Sequence, residues 1–241
     1  MSANPHLSII IPARNEENRL PRTLEQVAAF LDGQDFGGEI LVVENASADR
    51  TGEIARDFAA GDGRVRVLSV GEPGKGGAVR AGMLAAGGAY RFMADADLSM
   101  PIDQIQRFLE PAADGFDIVI GSREASGAVR YGEPQYRHLG GRLVNTMIRL
   151  LALPDLHDTQ CGFKLFRAGA AEILFRRQTL AGWSFDIEIL YAARLRGCRI
   201  LELGIPWHYR AESKVNPLPD AIRMFFDILR IRRNARRGVY G

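Results

Sequence analysis

The chain predicts an α/β protein: a mainly parallel sheet covered by helices on both faces, with a helical elaboration towards the C-terminal end. Short apolar, β-branched runs alternate with segments of helical periodicity through the first half, and the links between them are short. Past residue 123 that alternation gives way to glycine-containing loops and longer helical stretches. The residues able to do chemistry gather where the predicted strands run out, which is where parallel sheets bind ligands.

"LSIIIPA" (7–13) reads as a strand buried on both faces. In "NEENRLPRTLEQVAAFLDG", Leu20, Leu24, Val27 and Leu31 recur at helical spacing and Gly33 is a stop. "EILVVENAS" (39–47) is a second strand, "DRTGEIARDFAAG" a second helix and "RVRVLSV" (64–70) a third strand. "GKGGAVRAGMLAAGG" is a glycine-rich turn into a helix, and "AYRFMADADLS" a fourth strand. "PIDQIQRFLEPA" is a helix with proline in its first turn. "FDIVIGSR" (116–123) is a fifth strand. Further on, an apolar helix is expected around 138–152, "HDTQCGFKLF" is compact and turn-like, "WSFDIEILYAARLRG" is helical, and "RILELGIPWHY" (199–209) is a late strand. No low-complexity linker or internal repeat divides the chain.

With 241 residues, 46% apolar and 25% charged, the chain is long enough for a substantial core. A net charge of +2 gives no support to a general nucleic-acid binder. Cys161 and Cys198 are too few for a disulfide framework, and no CxxC pair suggests zinc; a reducing interior follows. No signal-peptide order opens the chain, and no run approaches the roughly 18 apolar residues of a membrane span.

Asp95 and Asp97 stand one residue apart at the fourth strand's end, so in an ideal strand both side chains point the same way. Like charges so close call for a cation, and hard oxygen ligands suit Mg²⁺ or Mn²⁺ completed by phosphate oxygens. A solvated acidic turn is the other reading of an isolated D-x-D. "GEPGKGGAVR" is not a Walker A loop, because Ser69 holds the first glycine's place and Gly76 follows Lys75. Its glycines could still present N–H groups to an anion, with Lys75 adding charge; a flexible turn with a solvated lysine is the alternative. "ARNEE" and "VVENAS" offer donors and acceptors for a base and ribose, though helix caps explain Asn15 and Glu16 equally. Arg123 follows a strand, where a guanidinium can meet phosphate or form a surface ion pair. Asp186 and Glu188 have two readings, sugar-hydroxyl contacts or helix surface. His157 and His208 lack a second histidine at ligand spacing and read as structural.

The order "IIIPARNEE", "VVENASADRTGEIA", "GKGGAVRAGM", "DADLS", "GSR" resembles inverting family 2 glycosyltransferases with the Rossmann-like GT-A fold. "HDTQCGFKLF", "WSFDIEIL" and "IPWHYRAESKVN" narrow this to the branch acting on polyprenyl and dolichyl phosphates, closest to the dolichyl-phosphate β-glucosyltransferases. The resemblance spans roughly residues 7–217. It implies a GT-A domain over 1–216 and a basic amphipathic C-terminal helix and tail over 217–241. It also implies nucleotide-sugar contacts from Pro12, Arg14, Glu16, Glu44, Lys75, Asp95, Ala96 and Asp97, with the metal on Asp95 and Asp97. Arg123, Lys164 and Lys214 would surround the donor and acceptor phosphates, so that Asp97, Asp95 and Arg123 carry catalysis. Three departures stand out: no tyrosine neighbours Arg14, Glu44-Asn45 replaces the frequent Asp-Asp, and Ser99 replaces a glutamine common in the mannosyl enzymes.

The implied reaction is metal-dependent inverting transfer of a hexose, glucose from UDP-glucose in the first instance, to a polyprenyl phosphate. GDP-mannose as donor and a non-catalytic nucleotide-sugar binding module are the alternatives. A sugar-1-phosphate nucleotidyltransferase is disfavoured, since no glycine-rich signature follows the first strand. To reach a lipid acceptor, "YRHLGGRLVNTMIRLLAL" and the C-terminal stretch mix arginines with large apolar residues. From Tyr209 to Gly241 eight Lys or Arg face three Asp or Glu. Such a segment suits the surface of an anionic membrane, and the expected location is cytoplasmic, peripheral at the membrane's inner face. Core packing of that helix, or a dimer contact, is the competing reading.

Overall fold

The structure, a computed structural model, describes residues 5–210 and 217–241, with backbone alone for 135–139 and 217–220. The first half runs β1 (Leu7–Ala13), α1 (Leu20–Asp32), β2 (Gly38–Asn45), α2 (Thr51–Gly61), β3 (Val65–Val70), α3 (Lys75–Ala85), β4 (Tyr90–Met93). After a 3₁₀ turn at Ile102–Ile105 come α4 (Gln106–Ala113), β5 (Ile118–Ser122), β6 (Val129–Tyr131) and α5 (Gln135–Leu151). The chain closes with β7 (Lys164–Arg167), α6 (Ala168–Arg176), α7 (Phe185–Leu195), β8 (Ile200–Gly204), β9 (Pro206–His208) and α8 (Pro217–Arg236).

Seven strands form one sheet in the order β3-β2-β1-β4-β7-β5-β8. All neighbours pair in parallel except β7, which runs antiparallel between β4 and β5. Because side chains alternate across a strand, Ile9 and Ile11 of β1 face one layer and Ile10 the other. The first layer packs Leu24, Val42, Phe92 and Phe108; the second packs Met83, Phe166, Phe175 and Leu190. Each such buried side chain contributes about 1.5–3 kcal/mol relative to exposure. From α8, Met224, Ile228 and Ile231 are buried in the second layer, so one side of that helix is core. The expected boundary after residue 216 falls at the edge of 211–216, which lies outside the described residues together with "SKVN" and Lys214.

Three expectations need correction. "HDTQCGFKLF" is not turn throughout: its last residues enter β7, in the middle of the sheet. "RILELGIPWHY" is two strands, because the chain leaves the large sheet after Gly204 and β9 pairs with β6. The fourth strand stops at Met93, where its register with Ile10 ends. Asp95 and Asp97 therefore sit in the turn beyond it, and the strand-alternation argument for their orientation does not apply.

Candidate active site

The ends of β1, β2 and β4 share an unusual backbone feature. Asn15, Ala46 and Leu98 all have positive φ, at 53°, 49° and 41°, a region that non-glycine residues enter at a cost. Each reverses the chain just past its strand and brings the following loops to one edge of the sheet. Side chains fasten the loops to each other. Asn15 Oδ1 accepts the Ala48 N–H at 2.8 Å, Thr51 Oγ1 accepts the Glu16 N–H at 2.7 Å, and Glu44 Oε1 accepts the Ser47 N–H at 2.6 Å.

Of the residues expected at the nucleotide, Pro12 and Glu44 lie partly exposed on adjacent strands and Arg14 is exposed on the edge itself. The Glu16 carboxylate is engaged by Arg19 at 2.6 Å. Asn45 is not offered to a base: it is buried, donating from Nδ2 to the Glu72 carbonyl and accepting the Gly74 N–H. It shapes the turn that leads into α3.

Lys75 opens α3, and its ammonium lies 2.6 Å from Asp95 Oδ1, so it is no solvated turn lysine. Burial works against that ammonium, but Asp95, Asp186 and Asp97 together hold it above its usual pKa. Asp97 Oδ1 accepts the Ser99 N–H at 2.9 Å, and the Ala96 carbonyl accepts Thr23 Oγ1 at 2.6 Å; both fix the turn. Burial, and then the neighbouring Asp95, push the Asp97 carboxyl above its ordinary value. Gly162 packs against the Asp95 carboxylate so closely that a Cβ there would fall 1.8 Å from Oδ2.

Lys164 is 1% exposed; its ammonium donates to the Cys161 carbonyl and lies 2.7 Å from Asp186 Oδ1. Enclosed in this way, it does not present its ammonium to a phosphate as expected, because Asp186 and the Cys161 carbonyl take it up. Asp186 and Glu188 are both buried, which removes the helix-surface reading. Burial pushes Asp186 up against the pull of Lys164 and Lys75. Glu188 is spent on structure, accepting from the Thr179 and Leu180 N–H groups and the Tyr240 hydroxyl. At the end of β5, Arg123 is no loose surface cation: Asp158 grips it through both carboxylate oxygens, and its guanidinium lies over Trp207. The His208 ring stacks on Tyr131, and its backbone N–H donates to the Ser99 carbonyl. His157 pairs with Glu202.

Asp95, Asp97, Lys75, Asp186 and Lys164 thus form one cluster of three acids and two ammonium groups. Among the described residues no group of three or more His, Cys, Asp or Glu could hold a metal unaided. The donor chemistry nevertheless fits a hard divalent cation that also takes phosphate oxygens. The pair supplies oxygen ligands only, and burial and Asp95 outweigh what the Ser99 N–H and Lys75 give back to the Asp97 carboxylate.

Residues 8–175 match the family described as "Glycosyl transferase family 2". A dolichyl-phosphate β-glucosyltransferase of Trichomonas vaginalis, ALG5D, is 33% identical over 94% of this chain and 72% of its own length. The Homo sapiens protein named dolichyl-phosphate β-glucosyltransferase is 31% identical over 96% of this chain and 76% of its own length. The Drosophila melanogaster protein of that name is 35% identical over 95% and 75%. Glucosyl-3-phosphoglycerate synthase from Mycobacterium tuberculosis, solved with Mn²⁺ and uridine-diphosphate-glucose, gives a TM-score of 0.65 at 19% identity. That match covers 93% of this chain and 78% of the other, and shows the shared GT-A fold.

Proposed function

Because the chain belongs to glycosyl transferase family 2, we propose that it moves glucose from UDP-glucose to a polyprenyl or dolichyl phosphate, with inversion and with Mg²⁺ or Mn²⁺. The observation that carries this reading is the Asp95–Asp97 pair at the sheet edge of a chain that resembles dolichyl-phosphate β-glucosyltransferases over nearly its whole length. The bound cation would neutralise the nucleotide diphosphate as it leaves. Asp97, with Asp95 beside it, would hold that cation, and Lys75, paired with Asp95, places a positive charge at the same site. Pro12, Arg14, Glu16 and Glu44 line the edge where base and ribose fit.

The acceptor phosphate is already ionised at neutral pH, so no side chain has to remove a proton from it. What the chain supplies is position and compensating charge. Arg123, turned and fixed by Asp158, offsets the repulsion between two phosphates, and Lys214 belongs to the same reading; Lys164, buried against Asp186, holds that acid in place rather than meeting a phosphate. The test offers the protein labelled UDP-glucose or GDP-mannose, a short polyprenyl phosphate and Mg²⁺ or Mn²⁺. Label from UDP-glucose entering the organic phase is expected. Donor binding with no product from any pair would make this a binding module instead.

Access to a lipid acceptor fits the α5 and α8 surface. Among the described residues no helix is long and apolar enough to cross a membrane. Leu150 is 80% and Phe226 62% exposed, Leu143 and Ile222 are exposed too, and an apolar groove of about 420 Å³ runs along α5 and is closed by Ala221 of α8. Exposed Arg142, Arg149, Arg223 and Arg230 border this face, as peripheral docking on anionic lipid requires. Anionic liposomes at low salt should carry the protein into the pellet; failure to do so sinks this part of the reading.

A further inference from the structure

Trp183 stands beside the acid cluster with 43% of its surface exposed. The Lys75 ammonium, which pairs with Asp95, lies 5.3 Å from its ring centroid. An indole left open to water in that position forgoes the large gain of burying an aromatic side chain.

Its loop is rigid. The fully buried Glu188 accepts the Thr179 N–H at 3.0 Å, the Leu180 N–H at 2.8 Å and the Thr179 hydroxyl at 2.6 Å, while the Tyr240 hydroxyl holds it from the far side at 2.6 Å. The Ala181 carbonyl accepts the Gly77 N–H, and Gln178 Nε2 donates to the Gly76 and Leu180 carbonyls. The glycines on either side of Lys75, at the start of α3, make this contact possible. A Cβ on Gly74 would stand 2.5 Å from the Ala181 carbonyl oxygen, and one on Gly76 2.6 Å from the Phe185 Cβ. Packing of the 178–185 loop on the start of α3 thus accounts for two glycines of "GKGG".

The geometry points to Trp183 as the face on which the donor's sugar ring packs. This rests on the nucleotide-sugar reading above. If the diphosphate sits at Asp95, Asp97 and Lys75, the hexose bonded to its distal phosphate lies within reach of an indole that already touches Lys75. A hexose presents a face of C–H groups, which suits an aromatic ring, and its hydroxyl rim stays free for polar partners. Because the loop is clamped before any ligand arrives, docking the sugar orders nothing further in the protein.

The test is calorimetric titration of the full chain, with Mn²⁺ present, using UDP and UDP-glucose on the parent protein, Trp183→Ala and Trp183→Phe. For Trp183→Ala, UDP-glucose should weaken about 10-fold while UDP changes less than about 2-fold. Trp183→Phe should keep both affinities within about 3-fold, since a smaller aromatic face remains. Each protein is compared with itself, so general loosening would move UDP and UDP-glucose together. Equal losses for the two ligands would assign the indole to holding Lys75 and overturn the proposal. Unchanged donor affinity with a raised KM for the lipid would also overturn it, in favour of an acceptor contact. A parent protein that binds neither UDP nor UDP-glucose would instead remove the donor reading itself, before Trp183 enters.

Discussion

Asp158 and Arg123 form a forked pair of a fully buried carboxylate and a part-exposed guanidinium: the carboxylate takes Nε at 2.6 Å and Nη2 at 2.8 Å, and also accepts the Arg123 backbone N–H at 3.0 Å. Burial alone would raise the Asp158 carboxyl, but Arg123 draws it down to about 2. Its folded value therefore lies below its unfolded one. The stability it contributes is fully present above about pH 4, and is lost as the pH falls towards 2. A shift of that size is worth about 2 kcal/mol. Asp158→Asn leaves the part-exposed guanidinium without its counter-charge and should cost about 2–3 kcal/mol at neutral pH. Denaturant melts from pH 7 to pH 2 check both: the variant should start lower and lose less on acidification.

Asp97→Asn should abolish transfer and leave the protein as stable or more so. Burial, then Asp95, raise the Asp97 carboxyl, so the folded state binds its proton more readily than the unfolded chain does. In the window above the unfolded value, stability falls as pH rises; a neutral amide escapes that loss. Turnover is expected to drop at least about 100-fold, because charge stabilisation at the leaving group goes with the carboxylate. Mn²⁺ plus UDP should raise the melting temperature of the parent and leave the variant's unmoved. Substantial residual turnover would take Asp97 out of the mechanism.

Gly162→Ala should injure the site from behind. The added Cβ would lie 1.8 Å from Asp95 Oδ2 and 2.2 Å from its carboxyl carbon, so the side chain must move off its position beside Lys75. Overpacking of this kind costs about 1–3 kcal/mol. The expected signature is a raised donor KM and a lowered kcat together, with circular dichroism unchanged. Parent-like kinetics would mean that the Asp95 position is not needed.

The first five strands were legible because each is rich in apolar and β-branched residues, with at most a few polar ones among them, and the helices between them keep their period. β7 was not, for a physical reason. It is four residues long and begins with a lysine, and that charge is tolerated in the middle of a sheet only because Asp186, far along the chain, neutralises it. The site's location could be read from where strands end, whereas its wiring could not. Lys75 with Asp95 and Arg123 with Asp158 meet only in the folded chain, and so does Trp183 with Lys75. Residues that are individually ambiguous, such as Asp186, Glu188 and Asn45, were resolved by burial and hydrogen-bond partners, neither of which has a local signature.

Tyr240 offers the last prediction. It is buried next to the C-terminus, its hydroxyl donates to Glu188, and Glu188 fixes the loop carrying Trp183. Tyr240→Phe removes one of several donors to that carboxylate and should cost about 1 kcal/mol. Burial, and then Glu188, push the phenol above its ordinary pKa. The folded state thus keeps the proton that the unfolded chain begins to release near pH 10, and the stability this supplies is lost as the pH climbs beyond that point. Alkaline melts should therefore be flatter for Tyr240→Phe than for the parent. If the hydroxyl matters only to the fold, donor KM at pH 7.5 will stay as it was once the protein is fully folded. A donor KM raised about 2-fold to 5-fold, with the lipid KM unchanged, is expected instead, because a loosened Glu188 lets the loop and its indole drift.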